Sequence, residues 1–233
     1  MYTPPHHSEG APHVTCQVDL VFECLHVGRH DRRSLGREHA RADASQVRNP
    51  CSVLLGRDQA TQADRPQVFV KDAGVAEGTG PQGIKHAAGI RPALIETDAK
   101  STPLFNAQGA PLGFTLAEWL APTGRATLSP TGAGGVVIKV TFEHLRPDAT
   151  YSLFENHFDQ KPVGFTPLDG AGAANSFKTD AKGHATATVT APQKLTHDNA
   201  ILVILDDDGQ THGTSRGDIG INAQHQLIAR LPG

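Results

Sequence analysis

The chain is predicted to be all-β, an antiparallel sandwich of about seven to eight strands preceded by a poorly ordered N-terminal region and one short helix. Three observations lead there. Apolar and polar residues alternate through Val136, Ile138, Val140 and Phe142, the period-2 mark of a strand with one buried face. Turn signals recur at intervals: Leu145-x-Pro147-x-x-x-Tyr151, then Phe177-x-Thr179-Asp180-x-x-Gly183-x-Ala185, then Asp206-Asp207-Asp208-Gly209. Aromatic residues are also unevenly spread. Only Tyr2, Phe22 and Phe69 precede residue 100, whereas Trp119, Tyr151 and seven phenylalanines follow it.

That asymmetry divides the chain into residues 1–100, a low-order region rich in Arg, His, Gly and Pro, and 101–233, the sandwich domain. In the first part arginine outnumbers lysine nine to three. Cys16–Leu25, Ser52–Leu55 and Val68–Val70 are short strand candidates without sustained period around them. Met1 is the only methionine, which leaves room to read part of this region as an over-extended gene start. Gly78-Thr79-Gly80-Pro81-Gln82-Gly83 fits G-x-G-x-x-G, but Gly89 and Pro92 interrupt the helix a dinucleotide needs, so it reads as a Gly-rich linker.

After a linker at Lys100–Pro103, Thr115 stands three residues before Glu118, the spacing of a capping box, and predicts one short helix holding Trp119 against the sandwich. Val136–Phe142 is the next strand, and Tyr151 and Leu153 belong to the one after it. Asp180-Ala-Lys-Gly183 forms a turn, followed by a strand with Ala185, Ala187 and Val189 on one side and Thr186, Thr188 and Thr190 on the other. Ile201–Leu205 is apolar on both faces and is expected to be central. Gln226–Leu231 either closes the sheet or forms a terminal helical turn.

The segment Leu145-Arg-Pro-Asp-Ala-Thr-Tyr151 resembles the tyrosine corner of immunoglobulin-like and fibronectin-like sandwiches. With Tyr151-x-Leu153, Pro162-Val-Gly-Phe165, the Asp-x-x-Gly turn and the late strand, residues 134–210 are similar to the extracytoplasmic sandwich of bacterial anti-sigma-K factors. The resemblance implies an Ig-like fold, a bacterial source and an extracytoplasmic place, with Tyr151 in a structural role. Anti-sigma activity is not carried over, because no anti-sigma segment is recognisable upstream.

Charge and motifs exclude more than they assign. A net charge of -3 gives no pull toward nucleic acid, and the run Arg29, Arg32, Arg33, Arg37, Arg41 is interrupted by acidic residues and carries no aromatics. No apolar run reaches the ~20 residues of a membrane helix. Met1–His7 opens no secretory signal. Cys16, Cys24 and Cys51 lack the spacing of a zinc knuckle. Gly213-Thr-Ser215-Arg-Gly217 fits G-x-S-x-G, but too little chain follows it to complete an α/β-hydrolase. The triple aspartate resembles a calcium loop whose first ligand would fall on Ile204, so it reads as a hairpin turn.

The function expected is therefore a non-catalytic binding, adhesion or sensor accessory module of the cell envelope, with a protein or envelope component as partner and no cofactor. The alternative is a metal-binding sandwich, a redox enzyme among its forms, holding zinc, copper or calcium through His212, His225, His157, Asp206 and Asp208.

Overall fold

The computed structural model describes residues 18–24, 67–196 and 198–231, the first segment through its backbone. Strand β1 (Val18–Cys24) comes first. Six short strands follow: β2 (Phe69–Lys71), β3 (Gly78–Thr79), β4 (Lys85–His86), β5 (Ile90–Pro92), β6 (Pro103–Phe105) and β7 (Pro111–Thr115). Helix α1 (Leu116–Leu120) then leads into the longer strands β8 (Thr123–Pro130), β9 (Val136–Glu143) and β10 (Thr150–His157). Next come β11 (Gly164–Pro167), β12 (Ser176–Lys178), β13 (Ala185–Ala191), β14 (Asn199–Asp206) and β15 (Ala223–Arg230). The predicted all-β fold is the one observed, and every pairing between these strands is antiparallel.

The main sheet runs β11-β10-β14-β15-β1-β8-β9-β13, with β12 also on β10. It folds into two layers at β1, whose residues 18–22 pair with β8 while residues 23 and 24 pair with β15. Alternation along the strands fills the space between the layers. Ile138, Val140 and Phe142 from β9 meet Leu153 from β10, Val203 and Leu205 from β14, and Leu227 from β15. All eight residues of β14 are buried, because its other side is covered too. Of Gln226–Leu231, the residues up to Arg230 form strand: they belong to β15, which closes the sheet against β14 and β1.

Two sequence signals act as expected. Thr115 accepts the Glu118 N–H while the Glu118 carboxylate takes the Thr115 N–H, a complete capping box, and the helix buries Leu116 and Trp119. Tyr151 Oη accepts the Arg146 N–H at 3.0 Å and donates to Gln226 Oε1 at 3.0 Å, so the hydroxyl is satisfied inside the core. Gly183 sits at φ 76 with its Cα pressed on the Leu145 backbone, and its own carbonyl accepts the Leu145 N–H.

The boundary expected near residue 100 is not a seam. A second sheet, β5-β2-β6-β7, takes two strands from each side of it. The supposed linker is bonded to the helix, since Lys100 and Thr102 carbonyls accept the Ala117 and Leu116 N–H groups. Gly78–Gly83 is no linker either: β3 and β4 pair across it as a small hairpin. Strands of two to five residues offer too few alternations to register as a period. Ser52–Leu55, the arginine run, Cys16 and Cys51 lie outside the described residues.

Candidate functional site

The outer face of β10, β14 and β15 is covered by the 207–222 loop. An apolar patch of Phe154, Leu202, Ile204 and Ala223 receives Ile219 from that loop, and Ile219 and Ile221 also reach the cluster of Phe69, Ile84, Ile90 and Ala107 beneath the small sheet. The two sheets are further joined through the loop, as Ala107 N–H donates to the Gly220 carbonyl and Asn106 Nδ2 to that of Ile221. Gly217, at φ 70, lets the loop lie flat: a Cβ there would come within 2.9 Å of His212 Cδ2 and Asn222 Oδ1. Beneath this cover lie ionisable groups in two clusters.

The first gathers around the triple aspartate, whose members do three different things. Asp206 ends β14 and is only 2% exposed. Its Oδ2 accepts from Ser152 Oγ at 2.5 Å, while Oδ1 has no hydrogen-bond partner. Burial pushes this carboxyl up to about 6, and Asp208 adds to the effect, against the Ser152 bond and His212. Asp207 forms an ion pair with Arg146. Asp208 accepts from Gln210 N–H and Asn222 Nδ2, and lies 3.4 Å from His212 Nε2. Gly209, at φ 73, donates its N–H to the Asp206 carbonyl, which makes the Asp-Gly pair a turn as the sequence indicates.

The second cluster surrounds His225, 3% exposed on β15. Gln67 Oε1 accepts the His225 backbone N–H at 3.1 Å. A backbone N–H only donates, so this contact fixes which end of the amide is oxygen. The amide nitrogen then faces His225 Nδ1 at 3.1 Å, and it also donates to Gln82 Oε1. Nδ1 thus has a donor before it, and a neutral ring accepts at only one of its two nitrogens. Nε2 in turn faces Arg216 Nη1 at 3.1 Å. Burial depresses His225 to about 3, with the Arg216 charge acting the same way, so the ring is neutral at ordinary pH.

Arg216 is half-buried, with Cζ 3.3 Å over the Phe165 ring, and Phe165 also packs on His225 at 5.8 Å between centroids. Burial lowers the guanidinium to about 10, which leaves it charged at neutral pH. Among the described residues no carboxylate lies within ion-pair distance of it.

The five candidate metal ligands are thus dispersed. Asp208 and His212 stand together with Asp206 beside them, His225 is one strand across and two residues along, and His157 is five residues from Ser152, roughly 17 Å along β10. His157 is held by Asn199 and Thr166 instead. Among the described residues no group of three or more His, Cys, Asp or Glu side chains is placed to hold a metal ion. Neither serine is an activated nucleophile: Ser152 bonds a carboxylate, and Ser215 Oγ accepts the Gly217 N–H within a turn.

Comparison of the chain with protein-family models, with curated proteins and with solved structures finds no match. Gln67, Gln82, Ser152, Phe165 and Arg216 are the residues of this face that sequence reasoning did not single out as functional. Gln67 and His225 are 158 positions apart, so no local spacing joins them.

Proposed function

We propose that the protein is a non-catalytic binding module that meets its partner with the outer face of β10, β14 and β15 at the 207–222 loop. The observation that carries this reading is the Arg216, Phe165 and His225 assembly: a charged guanidinium with its Cζ 3.3 Å over an aromatic ring, without a carboxylate partner among the described residues. A cation placed so costs stability unless a ligand uses it. The serine geometry argues against hydrolysis, since neither Ser152 nor Ser215 has an imidazole as hydrogen-bond partner.

The likeness of residues 134–210 to extracytoplasmic Ig-like sandwiches supports an accessory role in a bacterial cell envelope. No helix among the described residues is long and apolar enough to cross a membrane. Immobilised full chain and its Arg216→Glu variant, each exposed to solubilised envelope extract, test the reading. A component retained saturably by the wild type and released by the variant supports it. Equal retention by both places the binding surface elsewhere, and turnover of an ester or glycoside substrate that is lost in Ser152→Ala overturns the non-catalytic assignment.

A further inference from the structure

One edge of the main sheet is left open. β13 (Ala185–Ala191) ends the strand order beyond β9, and among the described residues no strand pairs with its other side. Which of its backbone groups face outward follows from the alternation of hydrogen-bonded and non-bonded pairs in an antiparallel ladder. The Thr131 N–H donates to the Gly135 carbonyl, so Val137, Lys139 and Thr141 bond β8 while Ile138, Val140 and Phe142 bond β13. Ala185, Ala187 and Val189 stand opposite these last three and bond back to them. The N–H and C=O groups of Thr186, Thr188 and Thr190 therefore point outward, and among the described residues no turn or loop backbone hydrogen bond reaches them. Sheet edges are ordinarily blunted by proline, charge or a bulge. Pro167 ends β11, Lys178 ends β12, Arg91 and Pro92 lie in β5, and Pro111 opens β7. β13 carries none of these and keeps continuous register with β9 over all seven of its residues.

We infer that β13 is a self-association edge, at which two copies of this chain pair antiparallel about a two-fold axis through Thr188. A second copy fits because Ala185-Thr-Ala-Thr188-Val-Thr-Ala191 reads nearly the same in either direction. The axis sets Thr186 opposite Thr190 of the second copy and Thr188 opposite itself, with alanine opposite alanine or valine on the other face. Every outward N–H and C=O of the three threonines is then paired, about six hydrogen bonds between the copies. The register has defined ends, since the His184 carbonyl is already taken by the Asp180 N–H and Pro192 has no N–H to give. Moving the axis to Ala187 sets Thr190 opposite His184, and moving it to Val189 sets Thr186 opposite Pro192, so both lose bonds. No charged side chain lies on β13, and none meets its own image across the axis. β13 belongs to the layer away from the 207–222 loop, so pairing leaves that face free in each copy.

Sedimentation equilibrium of the full chain, at concentrations up to about 1 mM, tests this. A species of twice the 24.7 kDa chain mass is expected. A monomer throughout, whether the edge stays open or another part of the chain covers it, overturns the inference. Thr188 is exposed on the outer face, so Thr188→Lys and Thr188→Glu keep the fold while each sets like charges face to face across the axis. Each alone is expected to weaken the dimer by about threefold to tenfold, and an equimolar mixture of the two to restore it as a heterodimer. Thr188→Pro removes an outward N–H without touching the β9 ladder and is expected to weaken the dimer by about tenfold to a hundredfold, with an unchanged far-ultraviolet circular dichroism spectrum. Lysine and glutamate variants that dimerise as tightly as the wild type, or a mixture that gains nothing over either alone, overturn the two-fold pairing. A folded Thr188→Pro that dimerises like the wild type shows stacking of faces in place of edge pairing and overturns it equally; if that variant does not fold, the charge-swapped pair decides.

Discussion

Replacing Asp206 with asparagine removes a buried carboxyl that holds its proton unusually late. In the unfolded chain this group ionises near 3.8, whereas in the folded protein burial raises it to about 6. As pH rises from 3.8 to 6 the unfolded state loses this proton while the native state keeps it. Native stability therefore falls across that window and is level on either side of it. Each unit of displacement is worth 1.36 kcal/mol, so the two-unit shift corresponds to about 3 kcal/mol. The amide of the Asp206→Asn variant does not titrate. The stability difference, variant minus wild type, is expected to climb by about 3 kcal/mol between those two pH values, whatever constant offset the lost Ser152 bond adds. Urea unfolding followed by the fluorescence of Trp119, the single tryptophan and fully buried, measures it from pH 3.5 to 8. A difference that stays flat across the window refutes the placement of Asp206 as a desolvated, half-satisfied acid.

His225 titrates in the opposite sense. Its folded value of about 3 lies below the ordinary 6.5, so the unfolded state takes up a proton first as pH falls and stability is lost below 6.5. Asp206→Asn should expose this slope, near 1.4 kcal/mol per pH unit, which the two groups otherwise offset in the wild type. Tyr151→Phe leaves the Arg146 N–H and Gln226 Oε1 without their partner and is expected to cost about 1 to 3 kcal/mol in urea unfolding, with little change in binding. Gly183→Ala drives a methyl into the Leu145 backbone at φ 76, so a loss of about 3 kcal/mol or more is expected by thermal unfolding, against under 1 kcal/mol for the open Gly209→Asn. Metal analysis of gently purified full chain should find less than one zinc or copper per molecule, and stoichiometric metal lost on His212→Ala would restore the metal-binding alternative.

What could be read in the sequence was what local physics decides. β9 and β13 show their alternation because one face of each is buried and the other polar. Thr115 and Glu118 are three apart because a helix start brings N-cap and N3 together. Tyr151 reaches back only five residues. The candidate face is assembled differently. Asp206 meets Ser152 from 54 residues away, and His225 meets Gln67 from 158, through strand order that no window of sequence contains. His225 was visible as a histidine, but its two partners, an amide and a guanidinium, have no pattern that distinguishes them from ordinary surface residues. The small sheet was missed for a related reason. β2 draws its neighbours from both β5 and β6, so residues on either side of position 100 share one structure despite different compositions.

Those long-range contacts converge on one claim, that the surface at the 207–222 loop is where the protein is occupied. Hydrogen exchange of the full chain, with and without the captured envelope component, tests this most directly. Protection is expected in the 207–222 loop and at β11, whose Phe165 lies under Arg216, with β8, β9 and β13 unchanged. Protection confined to β8, β9 and β13, the opposite layer of the sandwich, would be incompatible with that claim.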